Sequence, residues 1–323
     1  MFRALLLFVL CMSAAHAQIT DADLKRMRAE KRVALIIGNA SYRNFQALEN
    51  PVNDAKGVAE ALRGASFDVT LKLDASLDEM REAIDAFADK IAGADVALFY
   101  FAGHAAQVDW RNFIVPTSAA LDADSLLKGD IAAGVAQEAV DLAEVLKRMD
   151  APAGASGRGG TVGGGAAGGG PTAGNGPTRL NIVILDACRD NPFTTEAIKL
   201  TRSLSRSTGK APLKVIAAGL AQTSAPPGTF LAYSTAPGQV ASDGNGRNSP
   251  YSGALIAALK VQGLKLEDVF KQVRNSVAAA THNEQIPWDN SSVFRDFFFR
   301  VPVSATLANT RPKGDINTTF VSP

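Results

Sequence analysis

The chain has 323 residues, 46% of them hydrophobic, and carries 33 basic against 32 acidic side chains. That length and apolar content suffice for one large α/β domain with a buried core. A formal net charge of +1 gives no basic surplus and no acidic tail, which excludes a nucleic-acid binder held by charge.

The first segment runs from Met1-Phe2-Arg3 through apolar Ala4–Met12 to Ala15-His16-Ala17. It reads as a secretory signal peptide, residues 1–17, cut before Gln18. The apolar run is too short to span a bilayer, and no later run approaches about 18 continuous apolar residues, so no stable membrane insertion is expected. A lipoprotein anchor at Cys11 is disfavoured by Leu10, where a small residue is needed. Given a bacterial source, the protein is expected to be secreted across the inner membrane, to the periplasm or the exterior. Without the leader, Cys188 is the single cysteine.

Beyond the leader, buried strands alternate with amphipathic helices. Val33–Gly38 is a wholly apolar strand. Asn53 is placed as the cap of a helix with Ala55, Val58, Ala59 and Leu62 inward, at i, i+3, i+4 and i+7. Phe67–Leu73 alternates as a half-buried strand. Ser76 opens a second helix, with Leu77, Met80, Ile84, Phe87 and Ile91 on one stripe. Asp95–Phe101 is a third strand, and Gln107–Pro116 a hairpin or extended return. Glu138–Met149 is helical, with Ala139, Leu142, Val145, Leu146 and Met149 on one face. Leu180–Leu185 and Thr229–Thr235 are strands, followed by helices near Ser252–Val261 and Leu266–Ala280. Val293–Phe299 is placed as a closing strand. Strands separated by single helices predict a largely parallel sheet covered on both faces.

Three stretches depart from that pattern. Ala153–Pro177 is mostly Gly, Ala, Pro and Thr and cannot offset its ordering entropy, so it reads as a flexible insertion within the domain. From about Phe193 to Pro227, Lys199, Arg202, Arg206, Lys210 and Lys214 lie among Ser and Thr. That stretch is either a solvated loop or a processing segment. Val301–Pro323 reads as a loosely ordered tail.

Cys188 follows the strand Leu180–Leu185, and His104 follows Asp95–Phe101. In open α/β sheets, sites are built at the carboxyl ends of strands. A lone thiol is either a buried inert side chain or a reactive group, and the flanking Asp186, Arg189 and Asp190 argue against a dry position. The pair points to a thiolate nucleophile with a histidine partner. His282 sits where a helix dipole accounts for it. Gly38-Asn-Ala-Ser-Tyr42 lacks the glycines of a phosphate-cradling loop, and the histidines and single cysteine fall short of a zinc ligand set.

Phe99-Tyr-Phe-Ala-Gly-His104 followed by Ile184-Leu-Asp-Ala-Cys-Arg189 resembles the caspase-like cysteine peptidases, above all the bacterial metacaspase-type and caspase-family (peptidase C14) proteins. Arg32–Asn39 is similar to that family's first strand, and Leu48-Glu-Asn-Pro-Val-Asn-Asp-Ala55 to its following loop and helix start. Ala232–Gly238 resembles its substrate-binding strand and loop, and Gln285-Ile-Pro-Trp288 recurs in bacterial members. The resemblance covers residues 31–300 and implies a caspase-like three-layer α/β/α sandwich with a mostly parallel central sheet. His104 and Cys188 are 84 positions apart, against roughly 50 in caspases, and the Gly-rich insertion accounts for most of the excess. Asp186 and Asp190 stand where caspases carry Gln and Gly, which is metacaspase-like.

The resemblance implies a Cys188–His104 dyad, with the backbone N–H groups of Cys188 and Ala105 as the oxyanion donors. Ala105 replaces the usual Gly. It further implies an acidic pocket of Asp54 and Asp186 selecting Arg or Lys in protein or peptide substrates, and Ser234 on the strand that pairs with the substrate backbone. Plainer roles stay open. Asp54 could serve the first turn of its helix, and Asp186 could pair with Arg189 or Arg32. No cofactor is required for the chemistry. Calcium activates many metacaspases, but no calcium loop is recognisable, Asp122 and Asp124 fit turns, and no metal site is assigned. Ala102 and Ala105, where the family often has Ser and Gly, motivate the alternative of a caspase-fold binding protein with weak or no hydrolysis. The oligomeric state is not legible.

Overall fold

The computed structural model describes residues 18–120, 131–150, 179–187, 219–239, 241–244 and 246–309. The leader 1–17, Asp122 and Asp124, the Gly-rich stretch 153–177, Cys188 to Asp190 and residues 193–218 lie outside the described residues.

The described elements are α1 (Asp21–Arg28), β1 (Arg32–Gly38), α2 (Pro51–Arg63), β2 (Phe67–Leu73), α3 (Leu77–Ile91), β3 (Val96–Ala102), β4 (Ala105–Val108) and β5 (Arg111–Ile114). They continue with α4 (Ile131–Glu138), β6 (Val140–Asp141), α5 (Leu142–Asp150), β7 (Leu180–Asp186), β8 (Thr229–Tyr233), α6 (Pro250–Leu259), α7 (Leu266–Ala280), β9 (Trp288–Ser291) and α8 (Ala305–Asn309). The main sheet has the order β2-β1-β3-β7-β8-β9, parallel except for β9. A small antiparallel sheet, β4-β5-β6, stands beside it.

The apolar strands bury both faces, and their alternation sends neighbours into opposite layers. Val33, Leu35 and Ile37 pack with Met80, Ile84 and Phe87 of α3 and with Leu142, Val145 and Met149 of α5. Ala34 and Ile36 pack with Val58 and Leu62 of α2, Leu255 of α6 and Val269 of α7. This is the expected three-layer α/β/α sandwich. Among the described residues, no helix is long and apolar enough to cross a membrane.

Several boundaries differ from the sequence expectation. The α2 helix begins at Pro51, whose ring fixes a helical φ, so Asn53 lies inside the first turn and Asn50 takes the cap position. The Asn50 side chain donates to the Asp243 carbonyl instead of capping. Residues 138–149 are not one helix. Val140 pairs with Ile114 in the small sheet, and Asp141 then caps α5 by accepting from the Ala143 N–H at 2.9 Å. The hairpin β4–β5 turns on Asp109 and Trp110, both at positive φ (48° and 64°), the combination a type I′ turn requires.

The sheet closes earlier than expected. The polar run Trp288–Ser291 forms β9 as an edge strand, while Phe297 and Phe299 enter the α2–α6–α7 core and Phe298 turns toward α1. Sequence periodicity favoured the phenylalanines, but their rings serve as plugs rather than as a ladder. The tail is also built in further than expected. Through residue 309 it packs on α1, with Ala308 buried and Asn309 exchanging two hydrogen bonds with Ile19. Within 193–227, residues 219–227 are likewise bound: Asn112 bridges the Ala221 backbone from both sides, and Asn290 reaches Thr223.

Ser76 and Glu79 form a capping box that satisfies orphan donors at the start of α3. Ser76→Ala is expected to lower stability by about 1 kcal/mol, read as a reduced denaturation midpoint at unchanged m-value. An unchanged midpoint would show that water replaces the cap without cost.

Candidate active site

The register of the sheet sets the site. Gly38 of β1 pairs with Ala102 of β3, which in turn pairs with Asp186 of β7, so three strands end level. Strand order reverses between β1 and β3, the place where a crevice opens outside the carboxyl ends of a parallel sheet. His104 lies two residues past the end of β3, and in the sequence Cys188 follows Asp186 by two residues.

Gly103 makes the exit from β3. It holds φ +150°, and a Cβ there would approach the Tyr42 hydroxyl to 2.5 Å and the Asn39 carbonyl to 3.0 Å. Only glycine fits both the conformation and the space. His104 is then buried and held on two sides. Its backbone N–H donates to the Tyr42 hydroxyl at 2.7 Å, and its ring lies against the Tyr42 ring at 4.5 Å between centroids. Its Nε2 contacts the Gln46 carbonyl at 2.9 Å. A carbonyl can only accept, so Nε2 carries a proton, and in the neutral ring the lone pair is on Nδ1. The loop after β1 that supplies Tyr42 and Gln46 is anchored by Asp74, whose Oδ1 accepts from the Ala40 and Ser41 N–H groups, both at 2.8 Å.

Ala105 begins β4. Val115 donates to the His104 carbonyl at 3.0 Å, which makes Ala105–Ile114 a non-hydrogen-bonded pair and turns the Ala105 N–H away from β5. Ala105 is not among the residues at positive φ, so the alanine costs the backbone nothing here.

Asp54 and Asp186 are brought together by a single serine. The Ser249 N–H donates to Asp54 Oδ1 at 3.1 Å, and its hydroxyl donates to Asp186 Oδ2 at 2.5 Å. Asn248 Nδ2 adds a bond to Asp54 at 2.8 Å, and the Ser252 hydroxyl one to Asp186 at 2.6 Å. Because Ser252 gives its proton to Asp186, the Tyr100 hydroxyl at 2.6 Å must donate to Ser252. Burial, then the charges of Asp186 and Asp54, hold the Tyr100 phenol well above its usual range, so it remains a donor. The donors named here are neutral, and one serine joins the two buried carboxylates.

One of the plainer roles falls away. Arg32 lies at the opposite end of β1, bonded to Glu30 and to three carbonyls, and does not pair with Asp186. Asp54 sits in the first turn of α2 and also bonds across to the α6 entry. Ser234 differs from expectation. It follows β8, an interior strand, and its N–H and C=O are taken by the Leu185 carbonyl and by Gln285 Nε2. The Ser234 hydroxyl reaches the Ala187 carbonyl at 3.3 Å, one residue before Cys188. Among the described residues, no group of three or more His, Cys, Asp or Glu gathers as a metal site.

This arrangement has a match among known families. Residues 31–152 and 168–298 fit the sequence model of the caspase domain family. The chain belongs to the caspase domain family. Its curated relatives include the human mucosa-associated lymphoid tissue lymphoma translocation protein 1, 36% identical over 102 residues, which is 32% of this chain and 12% of that protein. The mouse homologue of that protein is 35% identical over 91 residues, 28% of this chain and 11% of its own length. The alignments thus span about an eighth of those relatives. Within the caspase domain, sequence reasoning missed Tyr42, Gln46, Ser249 and Ser252. Asn248-Ser-Pro250 carried a helix-start signal, Ser before Pro, that could have located Ser249.

Proposed function

We propose that this caspase-domain protein is a cysteine endopeptidase that cleaves after Arg or Lys. The observation that carries the reading is the β3–β7 register, in which Ala102 pairs with Asp186; in the sequence His104 and Cys188 each follow that pair by two residues. In the proposed reaction His104 Nδ1 takes the thiol proton, and the Cys188 thiolate adds to the scissile carbonyl carbon. The oxyanion that forms accepts from the N–H groups of Ala105 and Cys188. His104 then protonates the leaving amine, and water, deprotonated by the same imidazole, releases the acid from the thioester. The linked carboxylates of Asp54 and Asp186 support a guanidinium or ammonium as the recognised side chain.

The test is hydrolysis of fluorogenic peptides with Arg, Lys or Asp before the scissile bond, by the protein and its Cys188→Ala variant, with and without calcium. Cleavage after Arg or Lys that disappears in the variant is expected. Cys188-dependent cleavage after Asp would retain the nucleophile and sink the acidic pocket. Absence of Cys188-dependent turnover in every condition would favour a noncatalytic binding protein.

A further inference from the structure

At the other end of the sheet, away from the site, lies a cleft of about 290 Å³. Its wall is made by Arg28 of α1, Arg32 at the start of β1, the α2–β2 turn at residues 64–66, Gln262 and residues 299–301. Arg32 and Gly38 are the two ends of the seven-residue strand β1, roughly 20 Å apart at strand rise.

Among the described residues, three guanidiniums line this cleft and no carboxylate does. Arg32 is buried and committed: it bonds to the Met27, Ala65 and Phe299 carbonyls and pairs with Glu30 at 2.9 Å. Arg28 donates to the Pro302 and Val303 carbonyls through Nη2 alone. Arg300 differs from both. Its Nε is buried with no hydrogen-bond partner, and its Nη2 stands where a Cβ on Gly64 would come within 2.7 Å. A buried guanidinium donor left unmatched is costly, and a water or an anion that supplied the acceptor would relieve that cost. Glu30 offsets one of the three charges, and that carboxylate is shared with Arg295.

We propose that this cleft is a binding site for a small polyvalent oxyanion, a phosphate or polycarboxylate group on a small molecule. Arginine forks suit such oxygens in pairs, and Met27, Ala65 and Val301 give the rest of the ligand an apolar wall. The cleft volume is at the lower end for small-molecule sites, which fits a compact ligand. Because α1, the α2–β2 turn and the 299–301 segment meet here, a bound anion would tie α1 and the 299–301 segment to the start of β1. The inference does not depend on peptidase activity.

The experiment is calorimetric titration with pyrophosphate and, separately, citrate, at constant ionic strength in chloride, alongside melting temperatures. Saturable binding of one equivalent is expected, with a melting temperature that rises with ligand concentration. Arg300→Gln is expected to weaken it at least tenfold. Since Arg300 Nε bonds to nothing among the described residues, that variant should fold normally. Arg81→Gln, on exposed α3 surface, should change nothing. Pyrophosphate binding alone assigns a phosphate ligand, and citrate binding alone a polycarboxylate. The proposal is overturned if neither binds by about 1 mM. It is also overturned if Arg300→Gln binds like the parent, or if Arg81→Gln weakens binding equally.

Discussion

His104→Gln is expected to reduce kcat/KM on an Arg peptide by about 10²–10⁴-fold, mostly through kcat. The size follows from geometry. The Gln46 carbonyl holds Nε2 as a donor, which in the neutral ring assigns the lone pair to Nδ1, and Tyr42 fixes the ring's azimuth and its backbone amide. Glutamine keeps a polar side chain of similar reach, so Gln46 and Tyr42 retain a partner, but it cannot exchange a proton near neutral pH. Substrate binding, which does not involve the imidazole, should be spared. A loss below about tenfold, in protein with an unaltered melting temperature, would show that Cys188 is activated without His104.

The elements that set this geometry were legible because burial on both faces leaves a plain trace. Val33–Gly38, Val96–Phe101 and Leu180–Leu185 are apolar runs too short for helices in this alternation, and they lie side by side in the sheet. His104 and Cys188 follow from where those runs end. What escaped was long-range and polar. Nothing in Tyr42 or Gln46 as residue types announces that a loop 58 residues before His104 folds over it. Ser249 joins Asp54 to Asp186 across more than sixty residues on one side and nearly two hundred on the other. Pairings of that kind are decided by tertiary packing, which no local pattern records. The edge strand Trp288–Ser291 was hidden for a related reason: an edge needs backbone hydrogen bonds more than apolar side chains, so its sequence reads as a turn. At Ser234 the backbone N–H and C=O are engaged within the fold by Leu185 and Gln285, a long-range pairing that its local sequence does not record.

Asp186→Asn is expected to lower kcat/KM for an Arg peptide by about 10²–10³-fold, the range for removing one partner of a buried charge pair. The substitution is nearly isosteric. Ser249 and Ser252 can rotate their hydroxyls to accept from the new amide, so the α6 entry and the Tyr100 chain should persist. The decisive comparison is a peptide with citrulline in place of Arg, which keeps the shape and removes the charge. On the proposed pocket, the variant loses its preference for Arg over citrulline while its low citrulline rate stays put. An equal fall on both peptides would instead mean that Asp186, two residues before Cys188, holds the nucleophile's strand end rather than the substrate. Asp54→Asn should act in the same direction, and because Ser249 links the two carboxylates, the double variant should lose less than the product of the two single losses. Strict multiplicativity would separate Asp54 from the pocket and return it to a purely structural bond with the α6 entry.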